Sequence, residues 1–164
     1  MTEPSWLPTL LLLSDFGGNV VSYLDAVYSQ FRTDFINSRP ILNGLPVFIR
    51  IDPKEDQKEY SFWHVTHEGK GRVESQRTFA IRRCERIGWI RAAIDNITDP
   101  NVKSWNYKEG SGIIRTYIWL EDHDYVIVLE KARNKRSYFL VTAFYIEGDS
   151  KRRDLHYKYK NKQP

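Results

Sequence analysis

The stretch from Ile113 to Glu147 constrains the fold more than any other part of the chain. It spells three runs of β-branched and aromatic residues broken by short polar joints. The runs are Ile113–Glu121, Tyr125–Glu130 and Tyr138–Glu147, joined by Asp122-His123-Asp124 and by the polar residues from Lys131 to Ser137. Val, Ile, Tyr, Phe, Trp and Thr suit a pleated, half-buried surface, and joints this short connect antiparallel neighbours. The pattern predicts a β-meander. Successive side chains on a strand point to opposite faces, so Ile114, Thr116, Ile118 and Leu120 share one face of the first run, and Ile113, Arg115, Tyr117 and Trp119 the other. Both sets contain large apolar groups, which predicts a sheet covered over part of each face.

Ahead of the meander the period changes. Val20, Val21, Leu24, Val27, Tyr28, Phe31 and Phe35 recur at helical spacing, with Asn19 as N-cap and Asn37-Ser38-Arg39-Pro40 as stop. Two extended segments are predicted next, Val47–Ile51 and Phe62–Thr66, separated by the polar turn Asp52-Pro53-Lys54-Glu55-Asp56. Helical spacing returns over residues 86–97 through Ile87, Ile90, Ala93, Ile94 and Ile97, and Pro100 forbids continuation. Carried back to residue 83, that helix places Arg83 and Arg86 on the isoleucine face. Arginine is rarely buried without an anion, so either the helix breaks near Gly88 or the two side chains rim a cleft that receives carboxylate or phosphate. A short basic helix over about Lys151–Lys160 closes the chain. The fold class predicted is α+β: N-terminal helices, then a curved antiparallel meander, then a basic helix. We divide a single domain, 1–164, into an N-terminal helical region, 1–45, and an α+β core, 46–160.

At 164 residues, a single domain buries roughly 70% of its unfolded surface and needs no covalent staple. The lone Cys84 cannot form an internal disulfide, which fits a reducing compartment and a small buried hydrophobe. Leu10–Leu13 is too short to span a bilayer, and residues 1–9 contain Glu3 but no Lys or Arg, so neither a membrane segment nor a signal peptide is read. The expected location is the cytoplasm. Net charge is +4, yet residues 151–162 hold six Lys/Arg against one acid, and Gly69–Arg91 holds seven against two. Such local basicity suits a polyanionic partner, and it equally suits plain solvated surface.

Several chemistries lack their residues. His64-x-x-His67 has no third or fourth ligand at zinc-like spacing, Gly17-Gly18 and Gly69-x-Gly71 lack the Lys-Ser/Thr of a phosphate loop, and no serine-hydrolase elbow occurs. No metal and no small-molecule cofactor is expected. Metal-free RNA cleavage asks for less. The ribose 2′-hydroxyl is the nucleophile, so the protein needs only to move protons and stabilise charge at phosphorus. Histidine suits the first task and arginine the second.

Three stretches occur together: Phe62-Trp63-His64-Val65-Thr66 with the basic run to Arg77; Arg82-Arg83-Cys84-Glu85-Arg86-Ile87-Gly88-Trp89 with Asp99-Pro100; and Tyr117–Glu121 leading to Tyr138–Tyr145. Across about residues 45–160 they resemble prophage-associated members of the superfamily that unites barnase, EndoU, colicin-type and RelE-type nucleases. The resemblance implies a curved antiparallel sheet behind an N-terminal helical region, with RNA cut on its concave face without metal. It implies His64 as general base or acid, Arg83 and Arg86 on phosphate, Thr142 positioning substrate, and His67 and Tyr145 as helpers. Thr142 and Tyr145 are three apart and point to opposite faces unless a bulge intervenes. The chain also departs from the pattern in having Ile90 where a proline near Trp89 is expected.

The function expected is a metal-independent endoribonuclease, a hydrolase-type toxin of a toxin–antitoxin, phage-defence or competition system, partnered by RNA and by an antitoxin or immunity protein. Arg77, Arg82, Arg91, Lys151, Arg152, Arg153, Lys158 and Lys160 are the expected RNA contacts. The alternative is a non-catalytic RNA- or protein-binding module on a nuclease-like fold. Bland roles stand beside these: Trp63 and His64 as core packing, Arg82, Arg83 and Arg86 paired with Glu85, Glu121 or Glu130, Tyr117 and Trp119 packed on a helix, and Thr142 placed by β-propensity alone.

Overall fold

A computed structural model describes residues 3–68 and 78–164. Residues 69–77, Arg77 among them, lie outside the described residues. The predicted first helix, α1, spans Val20–Phe35, and the Asn19 side chain accepts from the Ser22 backbone N–H at 3.0 Å. It satisfies one of the donors that a helix start leaves without a partner. A short hairpin follows, β1 (Ile41–Leu42) and β2 (Leu45–Phe48), so the extended segment expected to run to Ile51 stops three residues sooner.

Phe62–Thr66, expected as a strand, is instead helical: α2 covers Tyr60–Thr66 and buries Ser61, Phe62, Trp63, Val65 and Thr66. Its aromatic composition favours a strand locally, but packing against α1 and the strand Tyr138–Tyr145 overrides that preference, as Phe62 meets Phe31 and Tyr28 edge-on. A two-residue ladder then joins β3 (His67–Glu68) to β4 (Thr78–Phe79). A short helix α3 (Ile81–Glu85) ends at Arg86, φ −107° and ψ 18°; the helix predicted over 86–97 follows as α4 (Ile87–Asp95), so it does not extend back to residue 83, and the break falls ahead of Gly88.

The meander is present as β6 (Ile114–Leu120), β7 (Tyr125–Lys131) and β8 (Tyr138–Tyr145). One further strand, β5 (Lys103–Lys108), pairs antiparallel with β6. The strongly curled, mostly antiparallel six-stranded sheet has the order β1-β2-β8-β7-β6-β5, and only the β2–β8 pair is parallel. The chain closes with α5, Asp149–Lys160.

Side-chain alternation gives each sheet face its own core, as the large residues on both sides of β6 predict. On one face Ile118, Leu120, Tyr125, Ile127, Leu129 and Ala143 join residues of α1, α2 and α4 in the main cluster. On the other, Tyr117, Trp119, Val126 and Val128 pack under Leu155 of α5. Each fully buried aliphatic or aromatic side chain contributes roughly 1.5–3 kcal/mol. Residues 6–11 cross over α3 and α4: Trp6 Nε1 donates to Asp99 at 2.8 Å, Trp89 Nε1 to the Pro8 carbonyl at 2.8 Å, and the Leu11 N–H to the Glu85 carbonyl at 2.9 Å. Among the described residues no helix is long and apolar enough to cross a membrane.

Candidate active site

β8 is the strand on which the site is built. Its ladder with β7 slips at one point: Val128 opposes Thr142 while Leu129 opposes Leu140, so Val141 is an extra, bulged residue. The bulge precedes Thr142, and the strand is regular from there to Tyr145. Thr142 and Phe144 therefore lie on the α5 face, and Ala143 and Tyr145 on the main-core face. On its outer side β8 pairs with β2 only at Tyr138 and Phe139. Beyond those residues α2 and α3 pack alongside the strand.

A cleft of about 420 Å³ opens there, lined by His64, His67, Glu68, Arg83, Thr142, Phe144, Tyr145, Glu147 and Lys151. It lies against the strand's edge, so residues from both faces reach it and the opposed directions of Thr142 and Tyr145 are no obstacle. His64 is half-buried on α2, its ring stacked on Tyr60 at 5.7 Å and 15°. Its carbonyl accepts from Arg83 Nη1 at 3.2 Å, and the His67 carbonyl accepts from the same nitrogen at 3.0 Å. One guanidinium thus fastens the end of α2, whose last carbonyls have no partner within the helix. Arg83 Nη2 also lies 3.6 Å from Glu68.

His67 is 5% exposed and sits edge-on to Trp63 and Phe79. The Thr66 hydroxyl donates to the Phe62 carbonyl at 2.7 Å, and its oxygen lies 2.9 Å from His67 Nδ1. Lys151, in the first turn of α5, is exposed and lies 5.2 Å from the Phe144 ring.

Arg86 does not line the cleft. Its side chain is 10% exposed, and Nη1 donates to Glu85 at 3.1 Å and to the Arg82 carbonyl at 3.0 Å. The guanidinium carbon lies 4.3 Å from the Tyr145 ring centroid and 5.1 Å from that of Trp89. Such stacking needs no bound anion.

The remaining expected RNA contacts divide. Arg82 is exposed and shares Glu85 with Arg86. Arg91 is engaged by Asp95, the Asp34 carbonyl and Ser38, joining α4 to the end of α1. Arg152 pairs with Asp124 and Asp149, and Lys158 with Glu109, Asp154 and the Tyr117 hydroxyl, so both anchor α5. Arg153 and Lys160 are exposed on that helix. Glu121, offered above as a partner for the arginine cluster, instead meets Lys103 and His156.

A second hollow, about 570 Å³, adjoins the cleft and shares His64 with it; Arg50, Tyr60, Arg115, Lys131, Arg133 and Phe139 are among its lining residues. Sequence reasoning did not select this group. Arg115 shares a strand face with Tyr117 and Trp119, and only the sheet register aligns it with Glu130 and Phe139.

Among the described residues no three of His, Cys, Asp and Glu gather as a metal-binding group. The cleft offers two imidazoles, two cations and two hydroxyls, a set suited to proton transfer beside a charged phosphorus centre. No protein-family model matches the chain, and neither a curated protein nor a solved structure matches it.

Proposed function

We propose that the protein is a metal-independent endoribonuclease that cuts RNA by attack of a ribose 2′-hydroxyl in the cleft between α2, α3, β8 and α5. One observation carries this reading: His64, His67, Arg83, Thr142 and Tyr145, spread over half the chain, line the same cleft together with Lys151. His64 takes the nucleophile's proton or returns one to the 5′-oxygen. Arg83 and Lys151 offset the charge that grows on phosphate, Thr142 and Tyr145 orient it, and Arg86 backs the Tyr145 ring from outside the cleft. A nuclease of this kind needs restraint in the cell that makes it, which fits the toxin of a paired or competitive system with an inhibitory protein partner.

A second reading, a non-catalytic RNA-binding module, is favoured by Glu68 and Glu147, whose carboxylates line the cleft and offset its two cations. Cleavage separates the two. Folded wild-type protein in EDTA is expected to cut unstructured RNA and leave 2′,3′-cyclic phosphate ends, and His64→Ala to slow this by about 10²–10⁴ with the fold intact. Intact RNA after prolonged incubation, or equal cutting by His64→Ala, overturns the enzyme reading.

A further inference from the structure

We propose that the hollow beside His64 is a seat for single-stranded nucleic acid, in which an unpaired base stacks on Phe139. This deepens the nuclease reading and rests on it for the identity of the substrate as RNA. The hollow has a surplus of positive charge, with Arg50, Arg115, Lys131 and Arg133 against Glu130. Arg50 Nε donates to the Asp52 carbonyl at 3.1 Å, and Lys131 lies 5.5 Å from the Tyr138 ring. Arg115 makes no hydrogen bond or ion pair with the described residues, and its Nε is buried without a partner.

Two aromatic rings, Tyr60 and Phe139, line the hollow. Phe139, 41% exposed, lies 6.1 Å from Phe48 at 37°, and the Arg39 guanidinium covers Phe48 at 4.2 Å. Arg50 covers Tyr60 at 4.5 Å, and Tyr60 stacks on His64. A large phenyl ring is costly to leave in water, and here it stands at the rim of a basic trough. Every base has a π-face, so ring and cation together suit a flexible strand whose bases are splayed out; a duplex keeps its bases stacked on one another and presents only backbone. His64 belongs to both hollows, so a nucleotide seated on Phe139 flanks the phosphate held in the cleft.

The test is fluorescence anisotropy with a 2′-O-methyl RNA 12-mer, which lacks the free 2′-hydroxyl that cleavage needs, as a single strand and annealed to its complement. The expected results are tighter binding of the single strand, a loss of about tenfold with Phe139→Ala, recovery with Phe139→Trp, and duplex binding unchanged by either. Arg133→Ala is expected to flatten the dependence of log K on log salt by about 0.7 for the single strand. Equal affinity for the two forms, no loss with Phe139→Ala, or a Phe139→Trp protein no better than Phe139→Ala overturns the proposal. Selective single-strand binding without cleavage of ordinary RNA leaves the groove standing and removes the enzyme; cleavage with Phe139 indifferent does the reverse.

Discussion

The Arg86 guanidinium carbon lies 4.3 Å from the centre of the Tyr145 ring while its Nη1 holds Glu85 at 3.1 Å. Removing one member of a buried ion pair leaves the other charge without compensation, which typically costs about 3–5 kcal/mol. Arg86→Met is therefore expected to lower unfolding free energy in urea by about 3 kcal/mol, with RNA affinity at fixed salt falling less than in Arg83→Met, because Arg86 lies outside the cleft and reaches it only through the Tyr145 ring. Replacing Glu85 by Met as well is expected to restore most of the loss. A drop in affinity at full stability would return Arg86 to the phosphate.

Asp34 carries the clearest pH signature. It is 8% exposed on α1, with Oδ1 accepting from Gln30 and Oδ2 buried without a partner among the described residues. Burial pushes its carboxyl up to about 6, against the attraction of Arg91 and with the repulsion of Asp95. An acid whose folded value exceeds its unfolded one, about 3.9, holds its proton longer when folded, so stability falls as pH rises through the window between the two values. Asp34→Asn lacks that slope. Its melting temperature relative to wild type is expected to rise between pH 4 and pH 7, and a flat difference would refute the assignment.

The Cys84 thiol is fully buried, donates to the Thr66 carbonyl at 3.6 Å, and is pushed by burial up to about 12. The thiolate is the reactive form, so a disulfide reagent at pH 8 meets almost none of it in the folded protein. Labelling is expected to proceed only as fast as the chain unfolds, and to become rapid in urea. Prompt labelling of native protein would place this cysteine at the surface.

The elements that could be read from the sequence are those whose own periodicity decides them. α1 has its apolar stripe and its Asn19 cap, and β6, β7 and β8 have their runs of β-branched and aromatic residues between short polar joints. The segment 62–66 reads as a strand because Phe, Trp, Val and Thr fit one locally, yet it lies between α1 and β8, where nearly every side chain of a helical turn is covered. β5 carries a legible signal, since Trp105 and Tyr107 alternate with polar residues, though only Trp105 is buried. The cleft was partly legible, because histidine, arginine and threonine announce their chemistry. The basic hollow was not: Arg50, Arg115 and Arg133 belong to three separate parts of the chain, and only the β2–β8 crossing and the sheet register bring them together.

The parallel pairing of β2 with β8 sets a timetable for the molecule. Ribosomes extrude His64 and Arg83 long before Thr142, Tyr145 and Lys151, and the wall between them is a strand that follows both in sequence. A growing polypeptide accordingly carries half of a cleft until its closing strand and helix have emerged, and contacts so distant in sequence form late and slowly. Whatever the finished pocket does, the nascent protein is unable to do it.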